Sequence, residues 1–148
     1  MSGKSTTLND LIVNRKLGVP PTKEGGTPVK FVSGKLIKDG TVNTEGIEIQ
    51  NVKGKISENL LAEGDVIFCL TGNFRCALVP KEAEGCSFNS FFVALTPDTT
   101  KISSQELYDC LRQESVLQAI RGVARGTVCP RITIKDLLEL ELPLTEKK

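Results

Sequence analysis

Apolar positions follow two rhythms along this chain, and the change comes near residue 100. Before it they gather in short runs bounded by Gly, Pro, Asn and Asp; after it they recur every three or four residues. Short bounded runs predict strands, and the wider spacing predicts helices. The strongest run spans residues 66–70. Gly64-Asp65 introduces it as a turn, and Thr71-Gly72-Asn73 breaks it before residues 75–79 resume it. Gly accepts positive φ and Asp bonds its own backbone, so such a pair reverses a chain. The pattern predicts a buried hairpin whose tip, Thr71 to Arg75, points away from the core and carries an amide, an aromatic ring and a guanidinium. Residues 29–32 and 88–95 read as further strands, and Ile47-Glu48-Ile49 alternates as an edge strand would.

Helical signals flank this β-rich middle. Thr7 reads as an N-cap for Leu8, Leu11 and Ile12, a short helix that should stop by Gly18 because Pro20-Pro21 cannot continue it. Ser103-x-x-Glu106 is a capping box, opening a helical stretch with Leu107 and Leu111, then Val116, Leu117 and Ile120. Gly122 interrupts that stretch, and Gly126 marks its last end. Thr133-x-x-Asp136 opens a short helix with Leu137 and Leu138, and Leu140-Glu141-Leu142 alternates into a terminal strand. Strands followed by a helical block and one last strand predict an α+β fold. The expected form is a twisted, mostly antiparallel β-sheet or partly closed barrel with flanking short helices, as one domain over residues 1–148.

Composition narrows the function. With 148 residues, 39% hydrophobic and 25% charged, the chain reads as one soluble globular domain. No run approaches the roughly eighteen apolar residues of a membrane helix, and no secretion signal is visible at the N-terminus. A cytoplasmic location and no membrane partner are therefore expected. The five cysteines contain no Cys-x-x-Cys pair and read as reduced, mostly core-filling thiols. The net charge of +1 says nothing for nucleic acid, but its distribution does. Five of the six arginines follow residue 74, and between Arg112 and Arg131 four arginines face one acid, Glu114. Such a local basic segment on a neutral chain suggests a confined anionic contact. A solvated helix end has the same composition.

Catalytic chemistry finds little support. The chain has no histidine, so serine and cysteine nucleophiles lack their usual base and zinc has few ligands. Gly3-Lys4-Ser5-Thr6 imitates the end of a phosphate-binding loop, but the first glycine of that motif has no place before it. Cys129 lies between Arg125 and Arg131, which would lower a thiol pKa; an idle thiol is the plainer reading. No enzyme activity, metal or cofactor is expected.

Recognition chemistry remains. Loops 25–28, 33–40, 71–75 and 121–131 combine glycine with hydrogen-bonding side chains. Arginine reads guanine edges bidentately and asparagine reads adenine edges, whereas phosphate contacts hold a duplex without reading it. Asn73, Arg75, Arg121, Arg125, Thr127 and Arg131 are thus candidates for the DNA side, with Lys35 and Lys38 on phosphates.

Taken in order, several stretches resemble a known family. They are Gly25-Gly26-Thr27-Pro28, residues 35–40 (Lys-Leu-Ile-Lys-Asp-Gly), residues 61–68 (Leu-Ala-Glu-Gly-Asp-Val-Ile-Phe), Thr71-Gly72, the aromatic run from Phe88, residues 125–137 and Leu142-Pro143-Leu144. Together they are similar to a target recognition domain from the specificity subunit of type I restriction–modification systems, over nearly the whole chain. The resemblance implies a non-catalytic module that reads one half of a split target in double-stranded DNA. It also implies methyltransferase and restriction subunits as partners, and a second recognition domain or second copy as the other half. Full subunits join two such domains through paired spacer helices. Those are expected to be absent, because the chain stops at residues 145–148 where they would begin. The departing feature is Phe74-Arg75-Cys76, where the family hairpin commonly carries a second glycine. A protein-interaction module that binds a methyltransferase or defence partner without productive DNA contact is the alternative.

Overall fold

The structure, a computed structural model, describes residues 6–38, 40–53, 59–72, 74–126 and 130–142. Its centre is an antiparallel four-stranded sheet in the order β2 (Ile12–Leu17), β8 (Phe92–Pro97), β5 (Val66–Cys69), β6 (Cys76–Leu78). A second sheet pairs β4 (Glu48–Val52) antiparallel to β3 (Thr27–Val32), which runs parallel to the short β7 (Ser87–Phe88). A two-residue ribbon, β1 (Thr6–Thr7) with β9 (Glu141–Leu142), ties the two ends of the described chain together. The architecture is α+β with mainly antiparallel pairing, as expected. It is built as separate sheets, and among the described residues none closes into a barrel.

The central sheet is covered on both faces, which explains why β5 is apolar throughout. Val66, Phe68, Val93 and Leu95 pack with Leu107, Leu111, Ile120 and Leu137 from the helices. Ile67, Cys69, Phe92 and Ala94 pack instead with Val32, Leu36, Ile37 and Phe88, under the second sheet and its loops. Successive strand residues point to opposite faces, so a strand buried on both sides loses its alternation. The four described cysteines, Cys69, Cys76, Cys86 and Cys110, are free and buried; Cys129 lies outside the described residues.

Three expected elements are drawn differently. The first helix lasts one turn, α1 (Leu8–Leu11), and the chain then extends as β2. Thr7 and Asp10 do cap that turn, the Thr7 hydroxyl donating to the carboxylate at 3.0 Å. Ile12-Val13 begins a β-branched segment, and pairing with β8 outweighs one more helical turn. The stretch after Ser103 forms two helices, α2 (Ser104–Leu111) and α3 (Glu114–Val123), divided at Arg112-Gln113. A single helix carrying Leu107 and Leu111 inward would turn Glu114 and Ser115 inward next. The break resets the phase so that Val116 and Ile120 are buried instead. Gly122 sits inside α3 rather than ending it. The aromatic run from Phe88 is likewise two strands, because Asn89 closes a tight turn: its side-chain oxygen accepts from the Phe91 amide and its carbonyl from the Phe92 amide. The chain thereby leaves one sheet at Phe88 and enters the other at Phe92.

Three local boundaries fall where the sequence puts them. Ser103 and Glu106 form the reciprocal box that opens α2. The Thr133 hydroxyl accepts from the Asp136 amide to open α4 (Ile134–Leu138), which is followed by β9. The turn at Gly64-Asp65 precedes β5 as read, with Gly64 at φ 93°.

Candidate nucleic-acid interface

The hairpin β5–β6 pairs Val66 with Leu78, Ile67 with Ala77 and Phe68 with Cys76. Its tip does not project freely as expected. Phe74 takes the left-handed conformation, φ 54°, and turns its ring inward, 3% exposed, to stack on Phe68 with centroids 6.3 Å apart. A buried aromatic thus holds the left-handed backbone bend through packing. Asn73 lies outside the described residues.

The ladder does not end with β5. Thr71 bridges Arg131, and Arg131 in turn bridges Arg125, both antiparallel. The Arg131 and Arg125 backbones exchange two hydrogen bonds of 2.9 Å. The Ile132 amide donates to the Leu70 carbonyl at 2.9 Å and the Gly72 amide to the Pro130 carbonyl at 3.0 Å. Residues opposite one another on an antiparallel ladder share a face, with Cβ atoms roughly 5 Å apart per step. Thr71, Arg131 and Arg125 therefore form one row, and both arginines are exposed. Loop 121–131 and the hairpin tip thus meet at one end of the central sheet.

Loop 33–40 joins them on the same face. Alternation puts Cys69 and Thr71 on one side of the strand, and Phe92 opposes Cys69. The Arg75 guanidinium lies over the Phe92 ring, 5.8 Å from its centroid, and donates to the Ile37 carbonyl. Gly40 donates to the Cys76 carbonyl at 2.8 Å and bridges Ala77. The loop contains the 3-10 turn Gly34–Leu36, with Leu36 and Ile37 buried and Lys35 and Lys38 exposed. Gly34 approaches the same ring so closely that a side-chain carbon there would stand 3.2 Å from Phe92.

Of the candidates, the structure thus brings Arg125, Arg131, Lys35, Lys38 and Arg75 to one end of one sheet. Arg75 is half-buried and bonded within the protein. Arg121 stands apart from the row on α3, exposed, 3.8 Å from Glu114. Thr127 lies outside the described residues. Loop 25–28 sits at the far end of β3 from Ser33, about 20 Å along the strand at its usual rise. It does not join the other three. The ring of Phe92 was missed: an aromatic in an apolar run signals core, and nothing local marks the guanidinium that covers it. A cleft of about 270 Å³ beside Arg131, lined by Leu17, Leu70, Ser90, Phe92 and Thr133, was equally unreadable. Among the described residues no three His, Cys, Asp or Glu side chains gather around a metal position. No described helix is long and apolar enough to cross a membrane.

This arrangement of sheets and loops occurs in solved structures. One is a chain from work on the complex assembly and conformational transition of the type I R-M system, with TM-score 0.72 and 21% identity, covering 95% of this chain and 37% of that one. A second is the HsdS subunit from Thermoanaerobacter tengcongensis, with TM-score 0.65 and 21% identity over 95% of this chain and 37% of that one. The fold is that of part of a type I restriction–modification specificity subunit. The S subunit from M. genitalium agrees, with TM-score 0.60 and 20% identity over 95% and 34% of the two chains. The chain spans about a third of the length of these chains. No protein-family model and no curated protein sequence matches it.

Proposed function

We propose that this protein is a sequence-specific duplex DNA-recognition module of a restriction–modification type system. It is non-catalytic and directs a methyltransferase or nuclease partner in the cytoplasm. The observation that carries the reading is the ladder Thr71–Arg131–Arg125, which sets two exposed arginines beside the hairpin tip, at the end of the sheet to which Arg75 also fastens the lysine-bearing loop 33–40. A row of cations at the end of a sheet matches the charge of a phosphate backbone. Likeness to S subunits supports the same role. Lys35, Lys38, Arg121, Arg125 and Arg131 are proposed on the DNA side; Asn73 and Thr127 join them on sequence grounds alone.

The test is a titration of duplex DNA at several salt concentrations. Three or four phosphate contacts give a log–log slope of about −3. Salt-independent association, or none with any duplex, overturns the reading.

A second reading is favoured by a groove of about 490 Å³ between β2 and α4, lined by Arg15, Leu17, Ile134, Lys135, Leu138 and Glu139. It suits a protein partner such as a methyltransferase. Co-purification with such a partner, without any shift of duplex DNA, would favour interaction alone.

A further inference from the structure

Arg75 is the one candidate whose charged group faces inward. Its Nη1 donates to the Ile37 carbonyl, and its plane covers the Phe92 ring. Both partners are buried. Ile37 closes the 3-10 turn Gly34–Leu36, its amide donating to the Gly34 carbonyl at 3.1 Å. Phe92 begins β8 and lies against Gly34. One guanidinium thus fastens the middle of loop 33–40 to the central sheet, between the Gly40–Cys76 bond on one side and Gly34 on the other. Lys35 and Lys38 flank that fastening point, and both are exposed. Arginine suits the task because its flat, delocalised group stacks and donates at once; a lysine ammonium donates but does not stack.

We propose that Arg75 is a positioning residue, which holds the turn Gly34–Leu36 so that Lys35 and Lys38 stand with Arg131 and Arg125 as one anion-binding face. This rests on the DNA reading above and adds to it a division of labour. The residue nearest the hairpin tip shapes the surface, and its neighbours touch the nucleic acid.

Arg75→Met keeps an unbranched apolar stem and removes the guanidinium that makes both anchoring interactions. Its binding to a short mixed-sequence duplex, measured against salt, is compared in two backgrounds: the native chain and the Lys35→Ala/Lys38→Ala variant. In the native background the slope should shrink by about 1 to 2, since each phosphate contact contributes about 0.9. In the double-alanine background Arg75→Met should leave the slope unchanged, because the groups through which Arg75 acts are gone. Arg75→Lys should restore part of the loss, and amide exchange at Leu36 and Ile37 should quicken in Arg75→Met alone. Loss of about 0.9 in both backgrounds would make Arg75 a phosphate contact and overturn the proposal. An unchanged slope with relaxed sequence preference would make it a base reader, with the same consequence. Absence of any duplex binding by the native chain defeats the DNA reading by itself. The anchorage is then judged on exchange, and unaltered protection of Ile37 in Arg75→Met overturns it.

Discussion

The Lys16 ammonium meets the Asp65 carboxylate inside the protein, 2.7 Å between Nζ and Oδ2, with side chains 11% and 1% exposed. The same Asp65 accepts the Ala62 amide at 3.0 Å and the Thr96 hydroxyl at 2.8 Å. One carboxylate thus joins β2, the turn before β5, and β8, and each of its oxygens has a donor. A buried pair adds little over apolar packing, but removing one partner strands the other. Asp65→Ala leaves an ammonium without its counter-charge and should cost about 3–5 kcal/mol. Lys16→Met leaves the carboxylate its amide and hydroxyl donors and should cost less, about 1–3 kcal/mol. Urea denaturation of the two variants checks the order, and equal losses would contradict it.

Arg125 and Arg131 join the ladder through backbone groups, so their side chains are separable from it. Arg131→Ala and Arg125→Ala should each leave stability within about 0.5 kcal/mol. Each should reduce the salt slope of duplex binding by about 0.9. Thermal unfolding and a salt titration on the same samples read both quantities. A large drop in melting temperature would mean the side chains hold the ladder themselves.

Two glycines predict opposite outcomes. At Gly18 a side-chain carbon would lie 1.9 Å from the Asn89 carbonyl oxygen, where β2 leaves the sheet against the 88–89 backbone. Gly18→Ala must push main chain aside and should be severely destabilising. Gly122 lies within α3, with open space around its missing side chain. Gly122→Ala should stabilise by about 1 kcal/mol, the usual helix preference for alanine. Denaturant midpoints of the pair test the geometry on both sides.

Asp98 titrates below the ordinary carboxylate value because Thr100 donates to it, first from its hydroxyl at 2.6 Å and then from its amide at 3.1 Å, with Lys101 helping. The ionised form is favoured by folding. Its contribution is therefore complete above the unfolded carboxylate pKa of about 3.9 and fades as pH falls through the lower folded value. Thr100→Val removes the hydroxyl bond. The Asp98 resonance, followed by NMR, should then titrate at higher pH than in the native chain, and an unmoved titration would refute the cause.

Much of the scaffold was legible because local chemistry announces it. Ser103 and Glu106, Thr133 and Asp136, and Gly64-Asp65 mark their boundaries by bonds made within a few residues. What misled was competition from afar. Ile12-Val13 followed a capped helical turn, and only the presence of β8 beside it favoured extension. Phe74 and Arg75 read as a solvent-facing tip, since nothing within the hairpin names Phe68, Phe92 or Ile37 as their partners.

By itself the sequence determined which residues are apolar enough to be buried, where turns and caps fall, and that cations cluster late in the chain. Tertiary structure alone decided which cations stand together. Thr71 and Arg131 lie 60 residues apart along the chain, and they become neighbours only through backbone bonds at the end of the central sheet. It also decided that Arg75 turns inward, since a guanidinium finds its acceptor and its ring only after two distant segments have packed. Local propensity acts over a few residues; juxtaposition is set by the hydrogen-bonded ladder and the core beneath it.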